Sequence, residues 1–218
     1  MKLNANLILI TVTFFLSGCV TSTIENARNE TTDSYDGEAV VVMAKSYHQG
    51  NETEADYINC IERSLGSGRG ALNVLPTQKF IDNLFPWFEP RTAPTNTKGL
   101  SKLMSKRGVN EAIDSMGVRY IIWLDGDTER VTQGGSLSCV ASPGGGGCFG
   151  FAWWQDDADY EASIWDLSSI KSAGTITADF SGTSFLPALV VPIPLIARTQ
   201  AKACSGLTKQ LKDFIKNS

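Results

Sequence analysis

Three carboxylates, Asp156, Asp157 and Asp159, stand beside Trp153 and Trp154, and this grouping is the nearest the chain comes to a reactive constellation. Two acids placed across a glycosidic bond can protonate the leaving group and activate water or the sugar carbon, while indole faces stack on the ring. The same residues also fit a polar hairpin tip with aromatics beside it. Calcium would need loop oxygens at EF-hand spacing, which the cluster lacks. Asp125 and Asp127 flank Gly126 and read as a strand end rather than a metal pair. His48 is the sole imidazole. It sits in a polar loop, and no Gly-x-Ser-x-Gly elbow is present for it to serve, so an exposed loop histidine is expected. The glycine runs at 66–70 and 144–147 lack the Lys-Ser/Thr of a phosphate loop and read as turns. No catalytic residue, cofactor or metal is therefore expected.

The amino end carries a different chemistry. Lys2, the apolar run 7–15 and small residues after it have the form of a secretory signal, too short to cross a bilayer, which takes about 20 apolar residues. The residues that close it, Leu16-Ser17-Gly18-Cys19, resemble a bacterial lipobox. That resemblance implies cleavage before Cys19 and a diacylglycerol on its thiol, with each buried methylene contributing about 0.8 kcal/mol of membrane affinity. Position 20 is Val, where an Asp would resemble an inner-membrane retention signal, so the outer membrane, facing the periplasm, is expected. Only Lys2 among the charged residues would leave with the leader, taking the net charge from −4 to −5. An acidic chain of this kind argues against nucleic acid and against an electrostatic grip on anionic lipid.

Of five cysteines, four remain once Cys19 is lipidated, and an even number in an oxidising compartment suggests two disulfides. Four thiols allow three pairings. Cys139 and Cys148 flank a flexible Pro/Gly connection that closes at low entropic cost, so that pair is expected, with Cys60–Cys204 as the remainder. Zinc would need thiolates in a close cluster, usually with histidine, and the spacings here are wide.

The elements follow from periodicity. Residues 19–38 are rich in Thr, Ser, Asn and acids and read as a flexible tether. The run 39–44 reads as a buried central strand that opens a domain extending over 39–218. Ala55, Ile58, Ile61 and Leu65 mark one helical face, ended by the glycines at 66–70. A short strand at 72–75, a helix from Thr77, helices around Leu100–Met104 and Val109–Met116, and Gly117 as a C-cap come next. The run 118–124 gives the strongest strand signal. Residues 134–150 are expected to turn the chain, and 149–154, 160–167 and 173–180 to form antiparallel strands. A final helix presents Ala203, Leu207, Leu211 and Phe214 on one stripe, with Ile196 and Gln200 before them. The fold class is α/β (α+β), a single domain with a mixed sheet, a carboxyl-terminal antiparallel meander and helices packed on it.

Within that order, Gly117-Val118-Arg119-Tyr120-Ile121-Ile122-Trp123 and the pair around Ala162-Ser163-Ile164-Trp165-Asp166-Leu167 resemble the group of envelope proteins formed by CsgG, LpoB and the amino-terminal domain of TolB. The resemblance spans about residues 39–216 and implies an accessory role at the envelope. The cysteine loop at 139–148 and the aromatic-proline loop at 85–90 have no counterpart in it. No pair of long alternating segments, the signature of a membrane barrel, is legible, which argues against a pore.

Two surfaces are partner candidates. Phe85, Trp87 and Phe88 form either an exposed aromatic anchor or a loop folded onto its own core. Residues 186–195, apolar but interrupted by Pro187, Pro192 and Pro194, would meet lipid or another subunit, or form a buried crossover. The expected function is a lipid-anchored, non-catalytic binding or assembly factor for an unnamed envelope partner. The alternatives are an enzyme or binder of cell-wall polysaccharide using the Asp156/Asp157/Asp159 and Trp153/Trp154 cluster, and a homo-oligomeric, CsgG-like ring.

Overall fold

The computed structural model describes residues 20–32, 37–45, 53–143 and 145–216. The leader, Cys19 and His48 lie outside the described residues.

Among those residues the chain forms six strands in one open, mixed sheet, and five helices. They are β1 Val20–Arg28, β2 Ala39–Ala44, α1 Ala55–Leu65, β3 Asn73–Val74, α2 Thr77–Asn83, α3 Thr97–Met104, α4 Val109–Ser115, β4 Val118–Ser142, β5 Gly145–Asp166, β6 Lys171–Val190 and α5 Thr199–Lys216. The strand order is β1-β6-β5-β4-β2-β3. β2 runs parallel to β3 and to β4, in a register that sets Val40 against Tyr120 and Ala44 against Leu124. A strand apolar at every position suits this place, because helices cover both faces of a parallel pair. One face carries Val41, Met43, Ile121 and Trp123, packed under Phe80, Leu100, Leu103 and Ile113 of α2, α3 and α4. Their alternates Val42, Tyr120 and Ile122 are buried as well.

Local chemistry explains the helix ends. Asn96 caps α3 by accepting from the Gly99 amide at 2.8 Å. Gly108, which precedes α4, and Gly117, which follows it, take positive φ, where a side chain would be strained. The three buried residues of α1, Tyr57, Ile61 and Leu65, recur every fourth position.

The contacts divide the chain into two compact units. Of the described residues, the first, called the ribbon unit below, holds Val20–Ser22 with Thr128–Ala158 and Phe180–Lys202. The second, the core unit, holds Thr23–Asp127, Asp159–Asp179 and Ala203–Ser218. The single sheet matches the expected α+β class.

Three sequence expectations need correction. Val20–Arg28 is a strand and not a tether: its polar side chains suit an edge, where backbone pairing suffices, and Asn29 N–H donates to Ala173 O at 2.8 Å just beyond its end. The glycines at 134–150 do not collectively turn the chain, since β4 continues to Ser142 and β5 starts at Gly145. They allow close strand approach: a Cβ on Gly135 or Gly150, both at positive φ, would lie 2.1 or 2.2 Å from the carbonyl oxygen of Phe151 or Ser136. Finally, β4, β5 and β6 are 25, 22 and 20 residues long, so long strands are present that alternation alone did not mark. β6 even runs through Pro187. The carbonyl of Pro187 accepts from Ile193 N–H at 2.9 Å, and Phe185 exchanges two hydrogen bonds with Leu195. The returning chain thus pairs with β6 along the edge that Pro187 faces, and an edge tolerates a missing donor.

Candidate functional site

The acidic cluster is not one site. Trp154 Nε1 donates to Asp156 Oδ2 at 3.1 Å, Arg130 Nε donates to Asp156 Oδ1 at 3.1 Å, and the Arg130 guanidinium lies 5.2 Å from the Trp154 ring centre. Asp157 instead accepts from Gln155 at 3.0 Å, and Gln155 also donates to Ser181 at 2.9 Å. Successive strand residues point to opposite faces, so Asp156 and Asp157 sit back to back and cannot flank one bond, whereas Asp159, two residues further on, returns to the Asp157 face. Trp153 parts from Trp154 in the same way: its indole covers Gly134, where an added Cβ would come within 2.9 Å of Nε1. Asp159 is exposed and belongs to the core unit. Among the described residues no group of three or more metal-capable side chains occurs. Asp125 is paired with Lys45 at 3.5 Å.

The aromatic-proline loop is parted too. Phe88 is buried, edge-on to Phe80 at 4.8 Å, and belongs to the core. Trp87 lies under the Lys106 ammonium, 3.5 Å from its ring centre. Phe85 alone of the three is well exposed, at 70%. The loop is folded onto its own core at Phe88 because Phe80, one helical turn before the end of α2, supplies the matching apolar surface.

What sequence reading missed is a cavity of about 180 Å³ in the core unit, lined by Lys45, Pro90, Pro94, Thr95, Trp123 and Trp165 among others. It lies where β2 ends. Lys45 there bridges Asp125 and Glu161, the latter at 3.1 Å, and the two indoles sit 5.4 Å apart. Trp123 Nε1 is buried with no hydrogen-bond partner among the described residues. The only sequence signal was a lysine closing an otherwise apolar strand.

A second polar network holds the start of β4. Arg119 Nη2 donates to Asp166 Oδ2 at 3.0 Å, its Nε lies 2.9 Å from Oδ1, and Glu38 is 3.4 Å away. Partial burial opposes the ionised Asp166 carboxylate, but the Ser168 hydroxyl and amide and the Arg119 charge outweigh it and hold its pKa below the ordinary value. Tyr57 is the opposite case: burial, then Tyr160 and Glu54, push its hydroxyl far above the usual tyrosine range. Tyr57 stacks on Tyr160 at 3.6 Å, and Tyr160 donates to Glu54 at 2.9 Å. These groups position strands and helices.

Both expected disulfides form, Cys60–Cys204 between α1 and α5 and Cys139–Cys148 across the β4/β5 hairpin. None of the described helices is long and apolar enough to cross a membrane.

Fold and site together describe an α+β protein built on one open mixed sheet. No family model matches the chain, and no curated protein does. Among solved structures it is similar to the PelC dodecamer from Paraburkholderia phytofirmans in space group P6, with a TM-score of 0.44 at 14% identity, covering 91% of this chain and 100% of that one. A substituted form of the same dodecamer in space group C2 gives 0.42 at 12% identity over the same shares. Likenesses of this size do not bear on what this chain binds.

Proposed function

We propose that this chain is a lipoprotein of the bacterial envelope, fastened through acyl chains on Cys19 to the outer membrane, facing the periplasm, and acting there without catalysis as a binding or assembly factor. The observation that carries this reading is Leu16-Ser17-Gly18-Cys19 directly after the apolar run 7–15. The likeness to CsgG, LpoB and TolB agrees with it. Two formed disulfides suit an oxidising compartment. Asp156 points to the opposite strand face from Asp157 and Asp159, so the polysaccharide-cleaving alternative, which needs two acids facing one bond, would rest on Asp157 and Asp159 alone.

Replacing Cys19 by Ser is the test. Fractionation should move the protein from the membrane to the soluble or precursor pool, and labelled palmitate should no longer be incorporated. Unchanged fractionation and labelling would overturn the anchor. Hydrolysis of cell-wall polysaccharide lost in Asp156→Asn or Asp157→Asn would establish the enzyme instead. As for self-assembly, the returning chain occupies one β6 edge at Phe185 and Ala188 by pairing with Leu195 and Pro192. The mass of the delipidated domain in solution decides between monomer and ring.

A further inference from the structure

The far end of the ribbon unit is free of charge. No Asp, Glu, Lys or Arg occurs in residues 131–155 or 180–197, although 19% of the chain is charged. Large apolar side chains are exposed there: Val140 at 78%, Leu189 at 74%, Phe149 at 69%, and Val190, Val191 and Ile193 at 53–66%. Four of these six occur within five successive residues at the turn where β6 ends and the chain doubles back. That turn holds Val190 at φ 100°, which a β-branched side chain rarely adopts, so the fold keeps these side chains out at a conformational cost.

We propose that this tip is a membrane-contact surface whose partner is the apolar and headgroup boundary of a lipid bilayer. Absence of charge favours lipid over a protein patch of either sign, and over anionic headgroups in particular. The start of the described chain points the same way. β1 begins at Val20, where an added Cβ on Gly182 would come within 3.3 Å of the Val20 side chain, and Thr21 donates to Ser181 O. β1 and β6 are antiparallel here, so Val20 stands at the end of β1 nearer the tip. On the proposed anchoring at Cys19, from which this part of the inference follows, the acyl chains and the tip face one membrane. Gly182 and Leu189 are separated by about 23 Å of extended strand, so the ribbon lies inclined to the surface and does not stand upright on it.

Depth follows from the backbone. β4 pairs with β2 only as far as Leu124, and among the described residues its far part, Val131–Ser142, has no second strand neighbour. Unpaired backbone groups do not enter hydrocarbon, so a single copy reaches only about 5–10 Å into the boundary and does not span.

The test uses the full chain, with its own anchor, in phosphatidylcholine vesicles carrying a photoactivatable acyl chain. Adducts are expected on the peptides holding Val140, Phe149 and residues 189–193, and should fall several-fold in Leu189→Asp/Val191→Asp, whose exposed positions leave the melting temperature unchanged. Adducts confined to the amino-terminal peptide would overturn the tip contact while leaving the anchor standing. Tip adducts without amino-terminal ones would keep the tip contact and remove the anchor. Crosslinks from the tip to a second copy of the chain in place of lipid would also overturn it, as would conductance across the vesicle wall, which needs a spanning structure.

Discussion

The core unit and the ribbon unit use the same three strands in different ways. In the core unit, Ile121, Ile122, Leu124, Ile164 and Ile176 are fully buried, ring systems stack, and charged groups meet in pairs such as Arg119 with Asp166. In the ribbon unit the same strands bury few large side chains, admit glycine at positive φ, and carry a disulfide near their end. Side-chain burial holds the one, and backbone pairing with a covalent clasp holds the other. The difference teaches that strand length does not require a core, provided glycine allows close approach and the edges are closed or turned away.

The largest effect that would sharpen this contrast is a cavity in the core. Ile164→Ala should cost about 3 kcal/mol in denaturant unfolding, whereas Val140→Ala at the exposed tip should stay within about 0.5 kcal/mol. Equal losses would erase the distinction. Next come the covalent links. Removing Cys60–Cys204 opens a separation of 144 residues and should cost about 2–5 kcal/mol, against less for Cys139–Cys148, which closes a separation of 9. Serine pairs at each site, measured by thermal melting, give the order. Gly135→Ala should then lower hydrogen-exchange protection in the ribbon and leave the core amides as they were, since its Cβ would strike the Phe151 carbonyl.

The smallest effect is electrostatic. Asp166 has a folded pKa below its unfolded one, so its contribution is complete above the ordinary carboxylate range and is lost as pH falls through and below about 4. Asp166→Asn should flatten that acid limb of the stability curve. Substituting Asp156, in the ribbon, should leave the core's acid transition in place.

Much of the core unit was legible because burial writes itself into sequence. The six apolar residues of β2 and the four-residue recurrence in α1 could hardly be read otherwise. The disulfide pairing was legible from spacing once Cys19 was set aside. β1 was not, since an edge strand needs no apolar face, and neither was the length of β4 and β5, since glycine in a strand looks like glycine in a turn. Which of the two readings of the aromatic-proline loop holds at Phe88 was not legible, since its match on Phe80 exists only in the fold. Lys45, just past the end of β2, meets its two carboxylates from β4 and β5, which no local pattern announces.

Everything about where this protein works rests on the sulfur of Cys19. The mass of the amino-terminal peptide of the mature protein, extracted from membranes, tests that directly. A peptide that begins at Cys19 and carries a diacylglycerol with further acylation is the predicted result; an unmodified Cys19, or a mature chain beginning elsewhere, would contradict it.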